Sequence, residues 1–321
     1  MYQESSLGLE EGERLVCMDV SPVRKPYAKA LEGIHPVGKK KVPGYELLTC
    51  LGVDGKGHLA LAYAKLVAYR EKGFLSLPAE IRDTLKQAQT RVGGQSPLIY
   101  VCDRGFDDYS VFQQILELTE TFVIRVYHDR SLGGGRKLRE VATSMFPFQY
   151  QAQLKVGGKY QQVAIHFGFT PEEEGNRLTL VVSHVPALGN RGRWWLLTNL
   201  RVTTAKEAQR VVEIYRKRWL IEKFFRLLKV GLGLEEFQVE TLARIRKVVA
   251  ILLGLALFLW EVRLEGGPFK EFLLRLGGKL GIKSEHDGPY LLMRGLIRLL
   301  NYGVTREELE SAPEQEGRSC G

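Results

Sequence analysis

Residues 98–127, LIYVCDRGFDDYSVFQQILELTETFVIRVY, decide the fold class. Five apolar residues, Leu98–Cys102, end abruptly at Asp103, a helix follows over Tyr109–Thr119, and Phe122–Tyr127 reads again as a strand. Working back from there, Pro97 restarts the chain after Leu77–Val92 (LPAEIRDTLKQAQTRV), where Ile81, Leu85 and Ala88 recur at helical spacing. Further back, Arg14–Val20 (RLVCMDV), Gly44–Val53 (GYELLTCLGV) and Leu59–Ala68 (LALAYAKLVA) are rich in β-branched or apolar residues and read as strands. Three strands, a helix, a strand, a helix and a strand describe an α/β mixed sheet rather than a sandwich or a bundle.

Beyond Tyr127 the texture changes. Phe148, Tyr150, Ala152, Leu154 and Val156 alternate with polar residues before Gly157-Gly158, the pattern of a hairpin with one wet face. Arg177–Val185 adds another strand, so residues 128–193 are expected to form a β-rich insertion. Trp194–Leu200 (WWLLTNL) resumes the core as a strand, and from Thr204 the chain reads helical. The expected division is residues 1–127 as the first part of the core, 128–193 as the insertion, 194–261 as the second part and 262–321 as a helical C-terminal extension.

The 321 residues carry 46 Lys and Arg against 37 Asp and Glu, a formal net charge of +9 with a pI near 9.3. That balance favours a polyanionic partner, although basic proteins with neutral substrates are common. With 45% hydrophobic and 26% charged residues, the composition excludes a disordered, collagen-like or disulfide-scaffold protein. Cys17, Cys50, Cys102 and Cys320 form no CxxC pair, and three lie in apolar strand-like runs, so a reducing cytoplasm is the expected location. The longest apolar run, Val248–Trp260, is too short to span a bilayer, and a buried helix with no membrane partner is expected.

Asp19 and Asp103 close apolar runs, and a carboxylate leaving a hydrophobic strand stands at the sheet edge where α/β proteins build their sites. Taken singly, each reads first as a turn or cap residue, and Asp54, Asp107 and Asp108 are left with that reading. The third acid lies in YRKRWLIEKFFRLLK, residues 215–229. At about 100° per residue, Tyr215, Arg218, Glu222 and Lys229 fall within about 60° of one helix face, with Arg226 beside them. Trp219, Phe224 and Leu227 point elsewhere. Such a face suits phosphates around a metal, or simply a solvated face with Arg218–Glu222 and Glu222–Arg226 pairs. Together, Asp19, Asp103 and Glu222 supply the oxygen ligands that two Mg²⁺ ions require for in-line phosphodiester displacement. The six histidines show no ligand spacing that would favour zinc.

These residues resemble the DDE transposases of the bacterial insertion-sequence-four type, relatives of the transposon-five transposase. The family signature Tyr-x₂-Arg-x₃-Glu-x₆-Lys is matched by Tyr215, Arg218, Glu222 and Lys229, its two aspartates by Asp19 in CMDVSPVRKPYAK and Asp103 in VCDRGFDD, and the strand before its glutamate helix by WWLLTNL. The resemblance spans roughly Leu15–Glu261. It implies a ribonuclease-H-like core, an insertion between the second aspartate and the glutamate, and metal-dependent cutting and joining of transposon DNA with Mg²⁺, for which Mn²⁺ would substitute. It also implies double-stranded DNA, transposon ends and target, as partner, and a homodimer in the DNA complex.

By the same resemblance Trp194 would stack on a base flipped out near the transposon end, whereas the residues alone give Trp194 and Trp195 a core or sheet-edge role. Arg218, Arg226 and Lys229 would neutralise phosphates and Tyr215 would donate to one. Lys25, with Arg24, Lys29 and Lys39–Lys41, reads as solvated charge or as a phosphate-contacting loop, and Arg104 as a partner of Asp103 or of a phosphate. Only 18 residues precede Asp19, where relatives carry a helical end-recognition domain, so DNA contact is expected mainly through phosphates. Two alternatives stand beside this one: a non-transposing nuclease of the same fold, and a catalytically decayed or domesticated DNA-binding relic.

Overall fold

The computed structural model describes residues 9, 12–28, 30–92, 97–132, 135–145, 150–156, 159–171, 177–278 and 288–302. Its strands are β1 (Arg14–Arg24), β2 (His35–Val37), β3 (Val42–Val53), β4 (Leu59–Val67), β5 (Leu98–Cys102), β6 (Thr121–Arg125), β7 (Tyr150–Val156), β8 (Lys159–Phe169), β9 (Thr179–His184) and β10 (Arg193–Thr198). They form one sheet in the order β2-β3-β1-β5-β6-β10-β9-β8-β7, with β4 also paired to β3. β3 runs antiparallel to β1 and β4, whereas β1, β5 and β6 are mutually parallel. This is a ribonuclease-H-like core.

The helices are α1 (Leu77–Val92), α2 (Tyr109–Glu117), α3 (Leu138–Met145), α4 (Ala205–Arg216), α5 (Trp219–Arg226), α6 (Leu242–Glu265), α7 (Gly267–Leu276) and α8 (Gly288–Tyr302). Alternation along the strands decides which helices cover which face. Leu15, Cys17, Ile99 and Val101 belong to one core with Val211, Ile214 and Phe224 of α4 and α5 and Val249 and Leu253 of α6. Val16, Met18, Tyr100 and Cys102 belong to the other, with Leu85 of α1, Phe112 of α2 and Val141 of α3. β5 is therefore buried on both faces, which is why LIYVC is apolar without alternation.

Two expectations are revised. β1 does not stop at Val20; its ladder with β3 continues to the pair Arg24–Gly44, so Asp19 lies within the strand. The β-rich stretch of residues 128–193 joins the central sheet, since β9 pairs with β10 and β10 with β6. The run from Tyr215 to Lys229 is not one regular helix. Lys217 N, Arg218 N, Leu220 N and Ile221 N bond to the carbonyls three residues back, at 2.9–3.1 Å, between α4 and α5. α5 then passes into a π-helical turn, Leu227–Gly231, closed by Leu232 N to Leu227 O at 2.9 Å.

β7 and β8 pair as the expected hairpin; Phe148, Gly157 and Gly158, like Lys29 and residues 303–321, lie outside the described residues. Val248–Trp260 is the middle of α6, and among the described residues no helix is long and apolar enough to cross a membrane.

Candidate active site

The register of two parallel strands brings the aspartates together. Pairing of β1 with β5 ends at Met18–Cys102, so Asp19 and Asp103 take the next positions on neighbouring strands. By the pleat they share the face of Cys17 and Val101, the one covered by α4 and α5. Cys17 Sγ touches Lys217 O at 3.8 Å, which seats the α4–α5 junction directly over this strand pair. From that junction the Arg218 guanidinium reaches both ways, with Nη2 2.5 Å from Glu222 Oε1 and Nη1 3.8 Å from Asp19 Oδ2.

Asp19 Oδ1 accepts a bond from Val20 N at 2.8 Å, and Asp103 Oδ1 accepts from Gly105 N at 2.7 Å, capping a short 3₁₀ turn over Arg104–Phe106. Burial pushes Asp19 up to about 7, and the charge of Asp103 pushes the same way; Arg218 and the Val20 N–H oppose them, and Glu222 adds a smaller upward push. The three acids therefore share one electrostatic site. They are not drawn into a ligand cage: among the described residues no group of three or more His, Cys, Asp or Glu is close enough to hold a metal ion. Glu222 is instead turned toward Arg218. The donor set itself is oxygen-only and short of positive charge, which suits a hard divalent cation.

The neighbouring aspartates have structural roles. Asp107 is buried against Arg130 and accepts from Tyr127 N at 2.8 Å, and Asp108 caps α2 through Ser110 N at 2.8 Å. Asp54 closes the β3–β4 turn through Lys56 N and His58 N.

The expected DNA-contacting residues divide into two groups. Arg226 and Arg104 are exposed, the latter with its guanidinium 5.3 Å from the Tyr127 ring. Trp194 is partly buried on the face of the acids, its ring edge-on to Tyr215 at 5.1 Å, whereas Trp195 packs on the opposite face near His128. Tyr215, Lys25 and Lys229 lie inside the fold. Tyr215 is 2% exposed. Lys25 Nζ donates to Glu235 O at 2.8 Å and Phe237 O at 2.6 Å, over the Phe237 ring, and Lys229 Nζ donates to Pro22 O at 2.6 Å. Burial pushes Lys25 down to about 8 against the pull of Glu235 and Glu236.

With Arg24 N to Glu235 Oε1 at 3.0 Å, these bonds clasp the far end of β1 to the segment after α5. The clasp ties the strand of Asp19 to the helix of Glu222. Glu235 is its hub and was missed in sequence; the only trace there is an acidic pair, Glu235-Glu236, interrupting a basic helical region.

Residues 10–259 match the family model of the transposase DDE domain. The chain belongs to that family. As a DDE transposase it is assigned to DNA transposition and recombination, with the DNA binding and the nuclease and transferase activity that the family implies. The matched segment contains Asp19, Asp103, Trp194, Arg218 and Glu222, and it ends within α6, so α7 and α8 lie beyond it. DDE transposases generally use divalent metal ions, in keeping with the oxygen donors gathered here.

Proposed function

We propose that this DDE transposase is of the insertion-sequence-four type, similar to the transposon-five enzyme, and that Asp19, Asp103 and Glu222 are its catalytic acids and hold two Mg²⁺ ions, with Mn²⁺ able to substitute. The observation that carries the proposal is the Asp19–Asp103 juxtaposition at the end of the β1–β5 register, where burial and the neighbouring carboxylate push Asp19 up to about 7. When bound, the ions would supply an activated water for attack on the phosphodiester and charge stabilisation at the leaving oxygen. The freed 3′-OH would then be joined to the opposite strand or to target DNA.

The protein's own part is positional. β1 and β5 present two carboxylates side by side, α5 presents the third, and the clasp of Lys25, Lys229 and Glu235 holds β1 against the chain that follows α5. Arg226 and Arg104 would meet phosphates from the surface. Trp194, propped on Tyr215, would stack on an unpaired base, a contact worth about 1–3 kcal/mol. Tyr215, Lys25 and Lys229 would act through these neighbours. The working form would be a homodimer on double-stranded DNA, and the buried free thiols of Cys17, Cys50 and Cys102 suit a reducing cytoplasm.

The test is cleavage and strand transfer on a duplex carrying a transposon end, with Asp19→Asn, Asp103→Asn and Glu222→Gln. Each is expected to lose both activities while keeping wild-type circular dichroism. Cleavage at the wild-type rate by any one removes that residue from the site, and cleavage without strand transfer in the parent would make the protein a nuclease.

A further inference from the structure

Glu222 is the acid engaged elsewhere. Its Oε1 accepts from Arg218 Nη2 at 2.5 Å while Arg218 Nη1 stands 3.8 Å from Asp19 Oδ2, so one guanidinium occupies the position of a shared counter-charge between two of the three acids. Arg218 is 7% exposed, and its Nε reaches no acceptor among the described residues. The Tyr215 hydroxyl beside it feels the guanidinium charge, which opposes the upward push of burial, but its geometry falls short of a hydrogen bond.

A buried guanidinium whose Nε finds no acceptor and whose Nη1 stands beyond hydrogen-bond distance of Asp19, next to a buried hydroxyl that finds no partner among the described residues, is a site short of acceptors. A phosphate offers acceptor oxygens in the arrangement a guanidinium fork matches. The eight-residue helix α5 is bounded by the i→i−3 turn on one side and the π turn on the other, two irregularities at which helices change register.

We infer that Arg218 is a built-in counter-cation of the acid site: it holds Glu222 and Asp19 in the DNA-free protein, passes to a DNA phosphate on binding, and thereby releases Glu222 to the divalent cation. It rests on the assignment of the three acids as a cation site. No covalent bond changes; two ion pairs are exchanged for two others. A carboxylate held by Arg218 is unavailable to the metal, so DNA strengthens cation binding, and by linkage the cation strengthens DNA binding by the same factor. Arg218 is then a positioning residue whose partner reports whether DNA is present.

The experiment titrates the full chain with Mn²⁺, following the free ion by electron paramagnetic resonance, with and without a mixed-sequence duplex, and subtracting Mn²⁺ held by the duplex alone. The wild type is expected to gain roughly tenfold in Mn²⁺ affinity on adding duplex. Arg218→Gln is expected to bind Mn²⁺ more tightly than wild type without DNA and to gain little more with it. A general field from the DNA phosphates would raise the affinity of both proteins alike, and that result overturns the inference. So does a wild-type affinity indifferent to duplex, which needs no variant. Asp103→Asn separates this inference from the function it rests on. Mn²⁺ binding that survives Asp103→Asn sinks the cation-site assignment and the inference with it, whereas binding lost in Asp103→Asn but uncoupled from DNA in the wild type sinks the inference alone.

Discussion

Asp19 is held where burial and two like charges outweigh one guanidinium, and this has a consequence for stability with a definite sign. The unfolded chain releases the Asp19 proton near the ordinary 3.8 and the folded chain near 7. Between those values the folded state binds more protons, so the Asp19 contribution to stability falls as pH rises through that window, with a ceiling of roughly 4 kcal/mol. Asp19→Asn removes the conflict. In EDTA, its melting temperature relative to wild type should climb from pH 5 to pH 8; a gap that stays constant would show that Asp19 is already ionised at pH 5. The acid's identity was readable from CMDV, because a carboxylate after an apolar run needs a reason. Its electrostatic state was not, because that depends on Asp103 and Arg218, which pairing and helix docking bring to it from distant sequence.

At the scale of elements, the turn after β5 holds three aspartates with separable duties. Asp103 Oδ1 accepts from the Gly105 N–H, while Asp107 binds Arg130 and accepts from the Tyr127 N–H and so ties the turn to the end of β6. Removing Asp107 leaves a partly buried guanidinium to the Asp108 charge and the Tyr127 N–H without its acceptor. Asp107→Ala should therefore cost about 1.5–3 kcal/mol in urea unfolding, against about 1 kcal/mol for the missing cap in Asp103→Ala. Equal losses would mean that Asp107 is solvated and the turn is held by its backbone. The end of β5 was legible because Leu98–Cys102 is bounded by Pro97 and Asp103. The end of β1 was not, because Ser21–Arg24 is kept in the sheet by pairing with Gly44–Leu47, a choice local sequence does not encode. The helix projection grouped Arg218 with Glu222 correctly, since their separation falls on one turn. It failed over the full run to Lys229, because i→i−3 bonds break the helix before Ile221 and a π turn follows at Leu227, neither of which residue spacing encodes.

For the whole molecule, a net charge of +9 says only that DNA will be attracted; which cations meet it depends on where the fold leaves them. Lys39–Lys41 are exposed in the β2–β3 turn, at the end of the sheet toward which β1 runs past Asp19, and Arg104 and Arg226 are exposed near the acids. Lys25 and Lys229, equally cationic in sequence, give their ammonium groups to the carbonyls of Glu235, Phe237 and Pro22. A cation that meets a phosphate displaces a counterion, and one that stays bonded inside the protein does not. Replacing Arg104 and Arg226 with Ala should flatten the dependence of log affinity on log salt by about 0.9 for each phosphate no longer neutralised, with an unchanged melting temperature. Lys25→Met and Lys229→Met should leave that slope near wild type and instead cost about 1–3 kcal/mol of stability each, because Lys25 loses two charged hydrogen bonds to half-buried carbonyls and Lys229 loses one. The two measurements, duplex titration across a salt series and thermal melts, separate the pairs, because one pair changes only the slope and the other only the melting temperature. If Lys25→Met flattens the slope without lowering the melting temperature, the clasp opens when DNA binds, and Lys25 belongs to the DNA-contacting surface after all.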